Sequence, residues 1–266
     1  MRLGYTCAPT RTSVGGAKMR IAVLSDIHGN LPALEAILAD VARRGVDHVV
    51  NQGDHVSGPL MPAETAQFLM RQPWTQINGN HDRELATSDP ADLIPSDAFA
   101  RAQLGGEALE WLAGLPPSST VNDGGLLLHG TIRRDTEYLL ETIENGAARL
   151  ATPAEIEVRL GEAQAEVMLC GHSHIPRSVR TLSGQLIVNP GSVGLPAFTD
   201  VQPFPHKVET GSPDARYAIV ERTAAGWTAQ LLTVPYDHRP MAALARERHR
   251  PSWEQALCTG YVDAPR

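Results

Sequence analysis

With 266 residues, 42% of them hydrophobic and 20% charged, the chain is long enough for one large or two small packed domains and too apolar to be disordered. A formal charge of −7 removes the basic footprint that extended nucleic-acid binding needs, although cations bound in a cleft would still attract a small anionic substrate. No run is long enough to span a membrane, the first 18 residues lack the apolar stretch of a signal peptide, and Cys7, Cys170 and Cys258 have no paired spacing. A cytoplasmic protein without disulfides or thiolate zinc sites is therefore expected. Residues 1–18 read as a disordered N-terminal extension and 19–266 as a single domain.

Taken in chain order, apolar runs that read as buried strands alternate with helical patterns. RIAVLS (20–25) is followed by a helix whose apolar face is Ala33, Leu34, Ile37, Leu38 and Val41, stopped near Gly45. DHVVNQ (47–52) precedes a helix with Pro62 at its first turn, and WTQIN (74–78) follows. Residues 83–120 show no strand, only a helical pattern around Ala108–Leu112 ended by Pro116-Pro117. GLLLHG (125–130) comes next, then a capping-box helix start at Thr152-Pro153-Ala154-Glu155, then AEVMLC (165–170). SVRTL-SG-QLIV reads as a hairpin turning at Ser183-Gly184, Leu195 to Pro213 as a long irregular loop able to form a lid, ARYAIVE and GWTAQLLTV as a strand pair, and Met241 to Tyr261 as two short helices broken by Pro251.

The informative residues stand at the ends of those strands: Asp26-Ile27-His28, Gly53-Asp54-His55, Gly79-Asn80-His81-Asp82, His129-Gly130 and Gly171-His172-Ser173-His174. The carboxyl edge of an open α/β sheet is where ligands bind. Five such loops bring about seven carboxylate, imidazole and amide ligands to one crevice, enough for two metal ions. A lone histidine beside a strand is ordinarily a satisfied core or surface residue; five ordered clusters reverse that expectation.

In order and spelling these segments resemble the calcineurin-like metallophosphoesterase superfamily (D-x-H, G-D, G-N-H-[DE], H, G-H-x-H). Within it, the compact bacterial and archaeal phosphodiesterase branch is the most similar, through Ser25–Asn30, Gly171–Pro176 and Asn189-Pro190-Gly191-Ser192. The resemblance implies an α/β fold, a four-layer αββα sandwich of two mixed β-sheets flanked by helices. It also implies that Asp26, His28 and His174 hold one metal, that Asn80, His129 and His172 hold the second, and that Asp54 bridges them. The expected cofactors are two divalent ions drawn from Mn, Fe, Zn, Co and Ni, manganese first, acting through a metal-activated hydroxide on a phosphodiester or small phosphomonoester.

His81, next to a ligand, is the expected general acid. Asp82 either orients it or starts a helix. Arg133, Arg134 and Arg177 lie just past ligand loops and are candidates to clamp a substrate phosphate. His55 reads as a bystander, and His48, His206, His238 and His249 as surface residues. The Asn189–Ser192 turn reads as support for the metal loops. Protein-phosphatase and dinucleoside-polyphosphate hydrolase activities share this chemistry. Scaffold relatives such as the retromer subunit lack the catalytic histidine that this chain keeps as His81. A homo-oligomer is left open.

Overall fold

A computed structural model describes residues 19–121 and 124–262; the expected N-terminal tail lies outside them. The described chain begins with β1 (Arg20–Leu24), α1 (Leu31–Arg44), β2 (His48–Asn51), α2 (Pro62–Leu69), β3 (Thr75–Gln76), α3 (Asn80–Thr87), α4 (Pro95–Gln103) and α5 (Gly106–Gly114). It continues through β4 (Ser118–Val121), β5 (Gly125–Leu128), β6 (Glu141–Glu144), β7 (Ala147–Leu150), α6 (Pro153–Leu160), β8 (Val167–Leu169), β9 (Arg177–Arg180) and β10 (Leu186–Asn189). The last elements are β11 (Ala197–Asp200), β12 (His206–Glu209), β13 (Ala215–Thr223), β14 (Gly226–Val234), α7 (Arg239–Glu247) and α8 (Pro251–Thr259). Among the described residues, no helix is long and apolar enough to cross a membrane.

Two five-stranded mixed sheets, β14-β13-β1-β2-β3 and β4-β5-β8-β10-β9, form the sandwich. Ile21, Val23, Val50 and Ile77 from the first interdigitate with Leu127, Val167, Leu169 and Val188 from the second, all essentially excluded from water. On the outer face of the first sheet, Leu34, Ile37 and Val41 of α1 pack against Leu24, Tyr217 and Ile219. The sequence signals for these helices have direct physical counterparts. The Asn30 side chain caps α1 by accepting from the Ala33 N–H, and Thr152 and Glu155 cap α6 reciprocally at 3.3 and 2.6 Å.

Beside this sandwich stands a third, four-stranded sheet, β11-β12-β7-β6, which the sequence reading did not anticipate. The stretch from Leu195 to Pro213, expected to be irregular, contains the antiparallel pair β11–β12 instead. Its prolines lie at 196, 203, 205 and 213, outside both strands, so they mark the strand ends and the turn while each strand keeps its backbone donors. The β6–β7 hairpin turns at Asn145-Gly146, both at positive φ, the composition a two-residue turn demands.

Candidate metal centre

Strands β1, β2 and β3 run parallel in one sheet and β5, β8 and β10 run parallel in the other, so their carboxyl ends meet along one rim of the sandwich. Every expected ligand leaves from that rim: Asp26 and His28 after β1, Asp54 after β2, Asn80 after β3, His129 after β5, and His172 and His174 after β8. The loops are tied to each other by backbone bonds from Asp26 N–H to the Gly53 carbonyl, from His28 N–H to that of Asp54 and from Gly171 N–H to that of His129 (3.0, 3.0 and 2.7 Å). Asn189 donates to the Gly171 carbonyl and the Ser192 hydroxyl to that of Asp26, so the Asn189–Ser192 turn supports the metal loops as the sequence suggested. Gly79 and Gly171 are required sterically, because a Cβ would come within 2.2 Å of Asp54 Oδ1 and 2.0 Å of Ser25 Oγ respectively.

Among the described residues three groups of potential ligand side chains converge; two of them, Asp26–His28–His174 and Asp54–His129–His172, are buried on this rim, and the third is His81–Glu84–Asp97. His28 Nε2 and His174 Nε2 lie 3.1 Å apart, with Asp26 Oδ1 3.4 Å from the latter. His129 Nε2 is 3.1 Å from Asn80 Oδ1 and 3.3 Å from Asp54 Oδ2, and that same oxygen is 4.0 Å from His28 Nε2. Asp54 thus stands between the two groups.

The donor set fits divalent cations. His174 and His129 each donate Nδ1–H to a backbone carbonyl, of Leu195 and Gln52 at 2.7 Å, and the Nδ1 of His28 is bonded to Ser57. For His174 and His129 this assigns the Nδ1 proton and turns Nε2 toward the centre, where it binds a metal once its own proton is absent. Asp26 Oδ1 is buried without a hydrogen-bond partner, and the two Nε2 atoms facing each other across 3.1 Å are satisfied either by a shared proton or by a cation beside them. Burial, then neighbouring imidazoles, hold His28 and His172 down to about 3 and about 4, in the neutral form a metal requires. Burial opposes ionisation of Asp26, yet His174 and His129 bring it to about 2. His129 is pushed the other way against burial, to about 9, by Asp54 and Asp26, a proton that a cation would replace.

His81 is about a quarter exposed and faces the cleft; its Nδ1 is 2.8 Å from Asp97 Oδ2, which leaves Nε2 for a ligand. Burial opposes its protonation, but Asp54 and Asp97 outweigh that and raise it to about 10; cations sharing the Asp54 charge would relax part of this pull. Asp97 carries no signal of this role in the sequence. It stands sixteen residues away, in the first turn of α4, where an acidic residue is ordinary and nothing in the spacing ties it to His81. Asp82 does not orient His81. Fully buried, it accepts from Gly79 N–H, Asp54 N–H, His55 N–H and His55 Nδ1–H at 2.9, 2.7, 3.0 and 2.6 Å, which pins the Asp54 loop to the start of α3. His55 therefore serves structure and lies outside both ligand groups.

Of the expected phosphate clamps, Arg177 is engaged by buried Glu141 at 2.7 Å, and Arg133 pairs with Glu137 at 3.4 Å and does not line the cleft. Arg134 does line it, exposed and with its guanidinium uncommitted. His206, expected on the surface, is 5% exposed and bonded to Tyr138. The C-terminal helix pair also contributes: Trp253 of α8 stands edge-on to His28, 6.1 Å between rings, over Gly58. The cleft above the centre encloses about 860 Å³.

Comparison with known proteins agrees with this geometry. Residues 19–208 match the model of the calcineurin-like phosphoesterase superfamily domain. An uncharacterized protein of Methanocaldococcus jannaschii is 26% identical over 204 residues, covering 67% of this chain and 78% of its own. Among solved structures, a metallophosphoesterase from Sphaerobacter thermophilus is 27% identical with a TM-score of 0.72, over 92% of this chain and all of the other. A hypothetical protein from Pyrococcus horikoshii, 19% identical with a TM-score of 0.70 over 91% and 98% of the two chains, shares the fold.

Proposed function

Because the chain belongs to the calcineurin-like phosphoesterase superfamily, we propose that it is a dinuclear-metal-dependent phosphoesterase acting on a phosphodiester or a small phosphomonoester. The observation that carries the reading is the convergence of imidazole nitrogens and carboxylate oxygens in two buried groups with Asp54 between them. Asp26, His28 and His174 would hold one cation, Asn80, His129 and His172 the other, and Asp54 both. The set contains nitrogen and oxygen donors without thiolate, which suits manganese and the other borderline ions. When bound, such a pair supplies Lewis acidity toward phosphoryl oxygens and lowers the pKa of water at the centre.

The chain's own groups then have distinct tasks. His81, held by Asp97, presents a protonated Nε2 to the leaving-group oxygen and donates to it as the ester bond breaks. Arg134 reaches the non-reacting phosphoryl oxygens. Of the two arginines lining the cleft, Arg159 is spent on the carbonyls of Leu139 and Glu141 and on Thr142, so the cleft offers free charge for a single phosphate. That favours a monophosphate ester over a dinucleoside polyphosphate. The presence of His81 in the cleft favours an enzyme over a scaffold.

Turnover after metal removal and reconstitution is the test. The protein stripped with a chelator should be inactive on bis-p-nitrophenyl phosphate and recover with manganese. His81→Ala should lose about 10²–10⁴-fold on esters with alkoxide leaving groups and less on p-nitrophenolate, with metal content near that of the unsubstituted protein. Two bound metals with no hydrolysis of any ester would overturn the assignment.

A further inference from the structure

The four-stranded sheet closes one side of the cleft with aromatic rings placed directly against the metal loop. Phe198 of β11 lies 4.6 Å from the His174 ring, and Tyr138, just before β6, lies 4.9 Å from that of His172. His206 joins these parts: its Nδ1–H donates to the Phe204 carbonyl at 2.8 Å, and its Nε2 accepts from the Tyr138 hydroxyl at 2.9 Å. The β11–β12 turn is thereby held at a fixed distance from the metal ligands. From that turn Phe204 projects into the cleft 66% exposed, and Ile94, 49% exposed, lines the same space. Large apolar side chains left open at the mouth of a polar centre signify a ligand with an apolar part.

Resting on the phosphoesterase reading, we propose that this sheet is the specificity wall of the site, and that Phe198 and Phe204 hold a flat aromatic ring carried on the ester group of the substrate. A ring fits better than an alkyl chain on three observations. The wall lines the cleft with Phe198, Phe204 and Pro203, it interleaves them with Thr199 and Gln202 suited to a ring's polar edge, and the turn that carries it is braced by a buried histidine. A cleft of about 860 Å³ accommodates one phosphate and one such ring system, within the range of small-molecule sites. His206 is then a positioning residue, acting through Tyr138 and the turn.

Non-hydrolysable phosphonates separate this wall from the chemistry. Titration calorimetry on the manganese-loaded protein should find benzylphosphonate bound about tenfold more tightly than cyclohexylmethylphosphonate, the scale of one stacking contact. Phe204→Ala, at an exposed position where folding is not at stake, and Phe198→Ala should each erase most of that ratio, with methylphosphonate affinity kept within about threefold. His206→Ala should also lower the ratio, and His206→Gln, which retains a donor and an acceptor, should restore it. Equal affinity for the two ring phosphonates, or a ratio that survives both phenylalanine substitutions, overturns the proposal. Hydrolysis of bis-p-nitrophenyl phosphate by the same preparation reads the catalytic assignment independently, so active protein with equal affinities disproves the wall alone.

Discussion

Among the described residues, seven non-glycine positions have left-handed backbone, and five of them, Asp26, His28, Asp54, His172 and His174, lie on the rim of the two five-stranded sheets. The four-stranded sheet holds one, Asn145, in a two-residue hairpin turn. Left-handed conformations of β-carbon-bearing residues are unfavourable and persist where the surroundings over-determine them. On the rim they are over-determined by the packed sandwich beneath and by the crossed hydrogen bonds of Asp82, Asn189 and Ser192. The third sheet is made the opposite way, from local hairpins with ordinary turns and apolar side chains left exposed. A rigid and costly frame fixes the two side-chain groups of the rim, and an attachment of two hairpins joined through β7 and β12 shapes what they meet.

The largest effect that would break this comparison is at its centre. Asp54→Asn removes the charge standing between both ligand groups, and turnover should fall on the order of 10³-fold or more, with less metal bound at both positions. Full occupancy of two metals in the purified variant, measured by elemental analysis, would show that Asp54 does not serve both. In the frame itself, Leu127→Ala leaves a cavity between the two sheets at a fully buried position and should cost about 2–5 kcal/mol in chemical denaturation. A cost below 1 kcal/mol would mean that the sandwich is not the rigid element.

A smaller effect sharpens the division of labour on the rim. Asp97 touches His81 and belongs to neither main ligand group, so Asp97→Asn should leave metal content unchanged and lower turnover about 10–100-fold. The diagnostic is the leaving group: a residue that only holds His81 in place should matter for alkoxide esters and much less for p-nitrophenyl esters. An equal loss on both would assign Asp97 to stability or substrate binding.

The uneven legibility of the sequence follows from the same division. The convergence of Asp26, His28, Asp54, Asn80, His129, His172 and His174 was readable because each sits directly after an apolar strand, where chain order and sheet direction alone bring them together. The helices of the sandwich were readable through Asn30, Pro62 and the Thr152–Glu155 box, local signals with local consequences. Asp97 was not, since its tie to His81 depends on how α3 and α4 pack. His206 reads as a surface residue because no motif surrounds it; only tertiary structure places Tyr138 over it. The third sheet had one local signal, Asn145-Gly146, and its pairing of β7 with β12 joins segments far apart in sequence.

The smallest expected effect tests whether that sheet is as local as it looks. Gly146 has φ +75° at the β6–β7 turn, and a Cβ there would meet only the Pro205 carbonyl at 3.8 Å. Gly146→Ala therefore adds no clash, and its cost is the left-handed backbone alone, about 1 kcal/mol. The neighbouring pairing is exposed to the change, because Lys207 N–H donates to the Gly146 carbonyl at 3.2 Å where β12 joins β7. If the sheet is an attachment on an independent frame, the thermal midpoint should drop by a few degrees at most and metal stoichiometry should be unchanged. Any kinetic change should appear in KM for aromatic esters, since the turn supports the wall and does not touch the ligands. Loss of metal from the Gly146→Ala protein would show the opposite, that the hairpins and the rim fold as one unit, with Tyr138 and Phe198 transmitting the order of the sheet to His172 and His174.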